Sequence, residues 1–361
     1  MSIATAQAEG PTESDPQITD KSAEVSGWMR GRLRGTGAIW PATALLFLLS
    51  PLIAPGSLAG SSVLSMLPFA AILALAATGQ AFVVQQRGLD LSTPGAMSLG
   101  ALIVTKVANQ DNGKVIEAVA FALIAVAAAG LISGLVVTRL HITPIVATLG
   151  VNALLLGAVE SYSDGFPTGA PSSLSSLALH KTLGIPNTVL GAGIILIVLA
   201  IINQRSLYGR RLGQVGTNPQ AMRLIGGRVE LLILGAYVMA AVFYGIAGIM
   251  LAAYIQTPGI FLGDDYLLPT IAAVVLAGNA LTGGQLKIAA TAVAALFLTQ
   301  LNQLVLTIGA PTAVQLLIQS AALVIAVSGH LLKRAWTSRR WARTPAQSAV
   351  ERPPVPVQAS V

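Results

Sequence analysis

The chain has 361 residues, 54% hydrophobic and only 10% charged, with a net charge of +7 and mean hydropathy +0.74. A soluble domain carries about 25% charged residues, so the composition argues against a water-soluble enzyme. It contains no cysteine, which removes disulfide and thiolate chemistry. The positive charge lies almost wholly in loops and tails and builds no nucleic-acid-binding face.

Residues 1–37 are polar, with Glu9, Glu13, Asp15, Asp20 and Glu24 ahead of Arg30, Arg32 and Arg34. They read as a disordered cytoplasmic tail. A cleaved signal peptide is disfavoured, because its n-region would be unusually long. Apolar runs then recur at about the length that crosses a ~30 Å hydrocarbon core. The runs fall at 38–54, 63–85, 94–109, 115–137, 143–160, 187–204, 230–255, 266–279, 287–308 and 312–331. They are continuous, where a barrel would alternate. The expected fold is therefore all-α: a polytopic helical membrane protein of about ten transmembrane helices, spanning 38–331. The third run, which holds Lys106, and the eighth are short. Each is a candidate for a broken or re-entrant span, which survives only inside protein or beside water. Residues 332–361 are basic, then proline-rich, and read as a second cytoplasmic tail. His141, His180 and His330 have no metal-ligand spacing.

Basic residues test the orientation, because cytoplasmic flanks hold the excess. With the N-terminus inside and ten alternating spans, 18 of the 21 lysines and arginines fall inside; only Lys106, Lys114 and Lys181 fall outside. Both termini are expected in the cytoplasm. An internal echo also appears: "LPFAAILALAATGQ…LDLSTPGAMSLGALIV" (67–104) resembles "LPTIAAVVLAG…NALTGGQLKIAATAVAALFL" (268–298). On this topology both turns face the same side, so the repeat is parallel.

Between the sixth and seventh runs the chain interrupts itself with 205-RSLYGRRLGQVGTNPQAMRLIGGRVE-230, which carries five arginines. Asn218 suits a helix cap and Pro219 the first helical position. Gly226 and Gly227 suit the stop. About seven helical residues span only ~10 Å. Ala221, Met222 and Ile225 are expected to form a small apolar face, with Gln220 and Arg223 polar. Such a helix suits insertion into a groove on another protein, or is a structured loop lying on the membrane; residue chemistry alone leaves both open.

The stretch "YGRRLGQVGTNPQAMRLIGGRV" resembles the cytoplasmic coupling segment of permease subunits of ABC importers in the ribose/xylose/arabinose family. Gly216, Asn218, Ala221 and Gly226 fall on the family pattern. Three more stretches match in order: "RGLDLSTPGAMSLGAL" (87–102), "TLGVNALLLGAVESYSDGFPTG" (148–169) and "TIAAVVLAGNALTGG" (270–284), with "LNQLVLTIGAPTAVQLLIQ" after them. The likeness runs over about 60–328. Arg87 stands where the family usually has glycine, Pro94 is inserted in the turn, and Asn279 replaces a glycine. No aromatic stands beside Gln315, and the loop before it is one residue longer.

The resemblance implies a permease forming the path for a small neutral solute, most readily a monosaccharide. It implies a second permease subunit (homo- or heterodimer), a cytoplasmic ABC ATPase, an extracytoplasmic binding protein, and a plasma-membrane location among lipids. The chain has no phosphate loop of its own and no catalytic, metal or cofactor constellation; ATP hydrolysis would belong to another chain. The coupling set implied is Gly213, Gly216, Thr217, Asn218, Pro219, Ala221, Met222, Arg223, Ile225 and Gly226. The path or gate candidates are Asp90, Ser92, Thr93, Asn152, Asn279, Thr282, Asn302 and Gln303. Asp90 is expected to pair with Arg87 or to cap a helix opening at Pro94. The amides are equally suited to hold helices together. Most spans hold no ionisable residue, which disfavours a proton- or sodium-coupled pump. Permeases for branched-chain amino acids or nucleosides, and a standalone transporter, are the alternatives.

Overall fold

The computed structural model describes residues 38–311, and beyond them 313, 314, 316, 317, 320, 321 and 324. Both tails, His330, Gln315 and most of the tenth expected run lie outside the described residues. Twelve α-helices are described: α1 (Ile39–Ile53), α2 (Gly60–Gln85), α3 (Thr93–Ala108), α4 (Val115–Arg139), α5 (Pro144–Ser163), α6 (Ser172–Leu179), α7 (Asn187–Arg205), α8 (Leu207–Thr217), α9 (Pro219–Leu224), α10 (Val229–Ile255), α11 (Leu267–Leu276) and α12 (Ile288–Thr307). A two-residue hairpin, β1 (Lys181–Thr182) with β2 (Ile185–Pro186), joins α6 to α7.

Each of the nine apolar runs within the described residues contains a helix, but only six are long and apolar enough to cross a membrane: α2, α4 with its leading turn, α5, α7, α10 and α12. The helices α1 and α3 have 15 and 16 residues. Helix α11 has 10 residues, about 15 Å of rise, half a crossing. The third and eighth runs are thus each one short helix continued on one side by irregular chain, and only in that sense broken; the irregular stretches have a local cause. Helix α2 stops at Gln85, and residues 88–92 run back along it without helical structure. Helix α11 stops at Leu276, and Gly278 just beyond it takes a φ of +76° that glycine adopts freely. The chain then stays irregular until α12.

Helix α2 is the spine. Ile72, Leu75, Ala76, Phe82 and Val83 point into one core shared with α3 and α10. Leu73, Ala74, Ala77, Ala81 and Val84 point into a second, shared with α11 and α12. The two sets alternate at helical spacing, so one helix serves both cores. Lipid tails are as apolar as leucine, so close packing, not water exclusion, holds such helices together. Small residues permit it: a Cβ on Gly248 of α10 would lie 2.0 Å from the Met97 carbonyl of α3. Helices α4, α5 and α7 instead turn large apolar side chains outward, including Ile124, Leu154 and Ile197.

Candidate functional site

The interrupting segment is two helices. The first, α8, was not foreseen, yet Tyr208, Leu212 and Val215 sit at i, i+4 and i+7, and Leu212 and Val215 are buried. Ser206 caps it, its hydroxyl accepting from Gly209 N at 3.1 Å. The second, α9, opens as its residues require. Asn218 Oδ1 accepts from Ala221 N at 3.0 Å, and Pro219 takes the first turn. Gly226, at φ +79°, ends it, and Gly227 N donates to the Met222 carbonyl at 2.9 Å.

The expected face of α9 needs correction. Met222 turns inward and packs with Val215 and Val229. The outward apolar residues are Leu224 and Ile225, 89% and 74% exposed. Ala221 is exposed too. Ile225 lies just past the last residue of α9, Leu224, while Met222 is covered by Val215 of α8 and by Val229 at the start of α10. Arg223 also has a partner: it donates to Glu230 Oε1 at 2.9 Å.

Helix α8 lies on the ends of both broken spans. Gly284 N donates to the Gln85 carbonyl at 2.9 Å. Gly216 is wedged against this bond: a Cβ there would sit 1.8 Å from Gln85 O and 2.7 Å from Gly284 N. Arg87 Nε donates to the Gly216 carbonyl at 2.5 Å, and its Nη2 donates to the Thr217 carbonyl. The end of α2 and the Gly283–Gly284 turn of the second echo therefore meet under one helix, while the Ser92–Gly95 turn of the first lies against α5.

The expected Arg87–Asp90 pair does not form. Arg87 points to α8, whose last carbonyls attract a cation. Asp90 is buried and turns the other way: its Oδ1 accepts from Ser92 N at 2.8 Å and Ser92 Oγ at 2.6 Å. The helix cap expected of Asp90 comes from α5 instead, where Asn152 Oδ1 accepts from Gly95 N at 2.8 Å. Thr148 Oγ1 accepts from Leu91 N at 2.9 Å. Gln80 on α2, in the amide orientation that satisfies its neighbours, donates to Asp90 O at 2.9 Å and to Tyr244 Oη at 2.7 Å, and accepts from Asp90 N at 3.2 Å. Gln80 lies five residues before the end of α2, so Asp90 sits about 8 Å deeper than that end. Irregular backbone inside an apolar bundle is costly unless protein satisfies it. Asp90, Ser92 and Asn152, with Gln80 and Thr148, supply those bonds. Thr93 is fully buried at the start of α3.

Asn279 performs the same task at the second break. Its Nδ2 donates to the Val274 carbonyl at 3.1 Å and to Thr291 Oγ1 at 3.0 Å, and its Oδ1 accepts from Lys287 N at 2.9 Å. Lys287 Nζ donates to the Gly278 carbonyl at 3.1 Å. Thr282 is exposed in the loop that follows. Asn302 and Gln303 are partly exposed near the other end of α12, about 20 Å of helix away from Lys287. The eight path candidates are therefore not one constellation. Four satisfy broken backbone directly or through a turn, and two stand at the opposite end of the bundle.

The family profile described as branched-chain amino acid transport system / permease component matches residues 62–327. A ribose import permease of Escherichia coli is 28% identical over 281 residues, covering 76% of this chain and 87% of that protein. An autoinducer 2 import system permease of an Enterobacter species is 34% identical over 234 residues, covering 64% of this chain and 67% of that protein. A fructose import permease of Bifidobacterium longum is 28% identical over 261 residues, covering 70% and 72%. No solved structure matches. With six helices of crossing length and a match that spans both broken helices and the α8–α9 segment, the chain is a multi-pass membrane protein that belongs to the branched-chain amino acid transport system / permease component family.

Proposed function

We propose that this chain is the permease subunit of an ATP-binding-cassette importer for a small neutral solute, most readily a monosaccharide. The observation that carries this is the seating of α8–α9 across both broken spans, a lever already joined to the elements that must move. Relatives named for ribose and fructose import support a sugar as cargo. Among the described residues Asp90 is the one buried charged side chain, and Ser92 holds one of its carboxylate oxygens. That leaves little in this chain to pair with a charged solute. The family description favours branched-chain amino acids as the second reading.

In this account both termini and the α8–α9 segment face the cytoplasm, and the tails 1–37 and 332–361 stay outside the transmembrane domain. Leu224 and Ile225, rimmed by Arg223 and Arg228, form the docking tip for a separate ATPase. Nucleotide-driven closure of two ATPases moves two such tips, one on each of two permeases, and rocks the spans between outward-open and inward-open states. An extracytoplasmic binding protein delivers the solute at the other face.

Proteoliposomes test this. Permease reconstituted with a partner ABC ATPase and a binding protein is expected to accumulate radiolabelled ribose or another monosaccharide on ATP addition. Accumulation by the permease alone would make it a standalone transporter. Uptake of leucine and valine with no sugar would select the second reading.

A further inference from the structure

We infer that Arg87 is the positioning residue through which α8–α9 moves the broken third span. Arg87 closes the C-terminus of α2. Its own N–H donates to the Val84 carbonyl at 2.9 Å, and Gly88 N donates to the Val83 carbonyl at 3.0 Å. This is the two-bond helix stop whose central residue is left-handed and usually glycine. Arg87 occupies it at φ +71°. A Cβ in that conformation crowds the following carbonyl, so the backbone alone favours glycine here.

What the arginine adds is a fork into α8. Its Nε and Nη2 donate to two successive carbonyls, Gly216 and Thr217. These end the helix, where they lack intrahelical partners and carry the negative end of its dipole. A planar guanidinium reaches both at once and fixes direction as well as distance. The residues just after Arg87 are the irregular stretch 88–92, which Gln80, Thr148 and Ser92 Oγ hold in hydrogen bonds as far as the start of α3. A shift of the end of α8 therefore pulls on a short, hydrogen-bonded strap that leads straight into α3. The second contact, Gly284 N to Gln85 O, is backbone only. One other side chain reaches α8 from the end of α2, Gln85, whose Nε2 donates to the Gly209 carbonyl at 3.4 Å. That bond is single, long and on the helical side of the stop, whereas Arg87 adjoins the strap and grips the last carbonyls of α8 by two bonds.

The inference rests on the coupling role proposed for α8–α9, and the test separates the two. The chain has no cysteine, so paired spin labels can be placed at will. One pair, at Gln214 on α8 and His141 beyond α4, reports the lever. The other, at Gln110 beyond α3 and Ile308 beyond α12, reports the far end of the broken span. In the wild-type permease–ATPase complex, ATP with vanadate should shift both distances. In Arg87→Gly the lever pair should still shift, while the far-end shift falls by more than half. Arg87→Lys, with a charge but no fork, should fall between. Melting temperature separates this from simple damage: Arg87→Gly relieves the left-handed strain and should melt no lower than Arg87→Ala. If Arg87→Gly shifts both pairs as wild type does, Arg87 transmits nothing and the inference is overturned. If ATP with vanadate shifts neither pair in the wild-type complex, the coupling role of α8–α9 fails and takes the inference with it.

Discussion

Gly216→Ala places a methyl group where the structure has no room. Its Cβ would lie 1.8 Å from Gln85 O and 2.7 Å from Gly284 N. Both are backbone atoms, bonded to each other at 2.9 Å, so no side chain can swing aside. Ordinary contact requires α8 to withdraw by about 1.5 Å. Overpacking of this kind costs about 1–3 kcal/mol, and breaking the Gly284–Gln85 bond adds about 1 kcal/mol. Alanine's helix preference over glycine returns up to about 1 kcal/mol. The net expectation is a destabilisation of about 1–3 kcal/mol, with the Arg87 fork pulled apart. Gly213, one turn earlier, is the control. Its Cβ would meet the tip of Gln85 at 3.2 Å and Gly284 O at 3.4 Å, so Gly213→Ala should cost under about 1 kcal/mol. Thermal unfolding of the purified permease followed by size exclusion reads both, and ATP hydrolysis by the assembled complex reads the consequence. If Gly216→Ala melts with wild type, or no lower than Gly213→Ala, α8 does not sit on the broken spans as described.

Arg223→Glu should leave the permease folded, because its exposed pair with Glu230 is worth under about 1 kcal/mol. It should nonetheless abolish ATPase co-purification. Adding Glu230→Arg restores the local pair and should not restore the ATPase; recovery would mean that Arg223 serves only Glu230. Gly226→Val puts a β-branched residue at φ +79°, a strain of about 1–3 kcal/mol, and should misdirect the tip, which stimulated ATP hydrolysis would report. Asn152→Leu strands the Gly95 N–H and should cost about 1–3 kcal/mol; an unchanged melting temperature would deny Asn152 its capping role. Cysteines at Ser172 and Ser206 should label from opposite sides of the membrane, and labelling from one side would undo the proposed orientation.

The long helices were legible because their periodicity and length act locally: α2, α4, α5, α7, α10 and α12 follow the apolar runs closely. The breaks were legible as short runs, and α9 as Asn218–Pro219 before Gly226–Gly227. What the sequence concealed is long-range partnership. Arg87 and Asp90 are three residues apart, and proximity suggests a pair. In the fold their side chains diverge, because residues 88–92 run inward while Arg87 stays at the helix end. Met222 read as an outward residue because nothing local shows that α10 packs over it. Gln80 and Thr148 drew no notice, since a lone amide or hydroxyl in an apolar run carries no signal of the unpaired backbone it must satisfy. The amphipathic spacing of Tyr208, Leu212 and Val215 was available for α8, but the arginines and glycines around it masked the period.

Site-directed crosslinking tests the central claim, that α9 is the ATPase docking tip, most directly. In this cysteine-free chain, a photoreactive maleimide is attached at Ile225→Cys, 74% exposed on the tip, or at Leu183→Cys, 94% exposed in the β1–β2 hairpin at the opposite end. Irradiation of membranes containing the whole transporter should join the ATPase to position 225 and leave position 183 free of it. An ATPase adduct at 183, or none at 225 in a complex that hydrolyses ATP, would contradict the account.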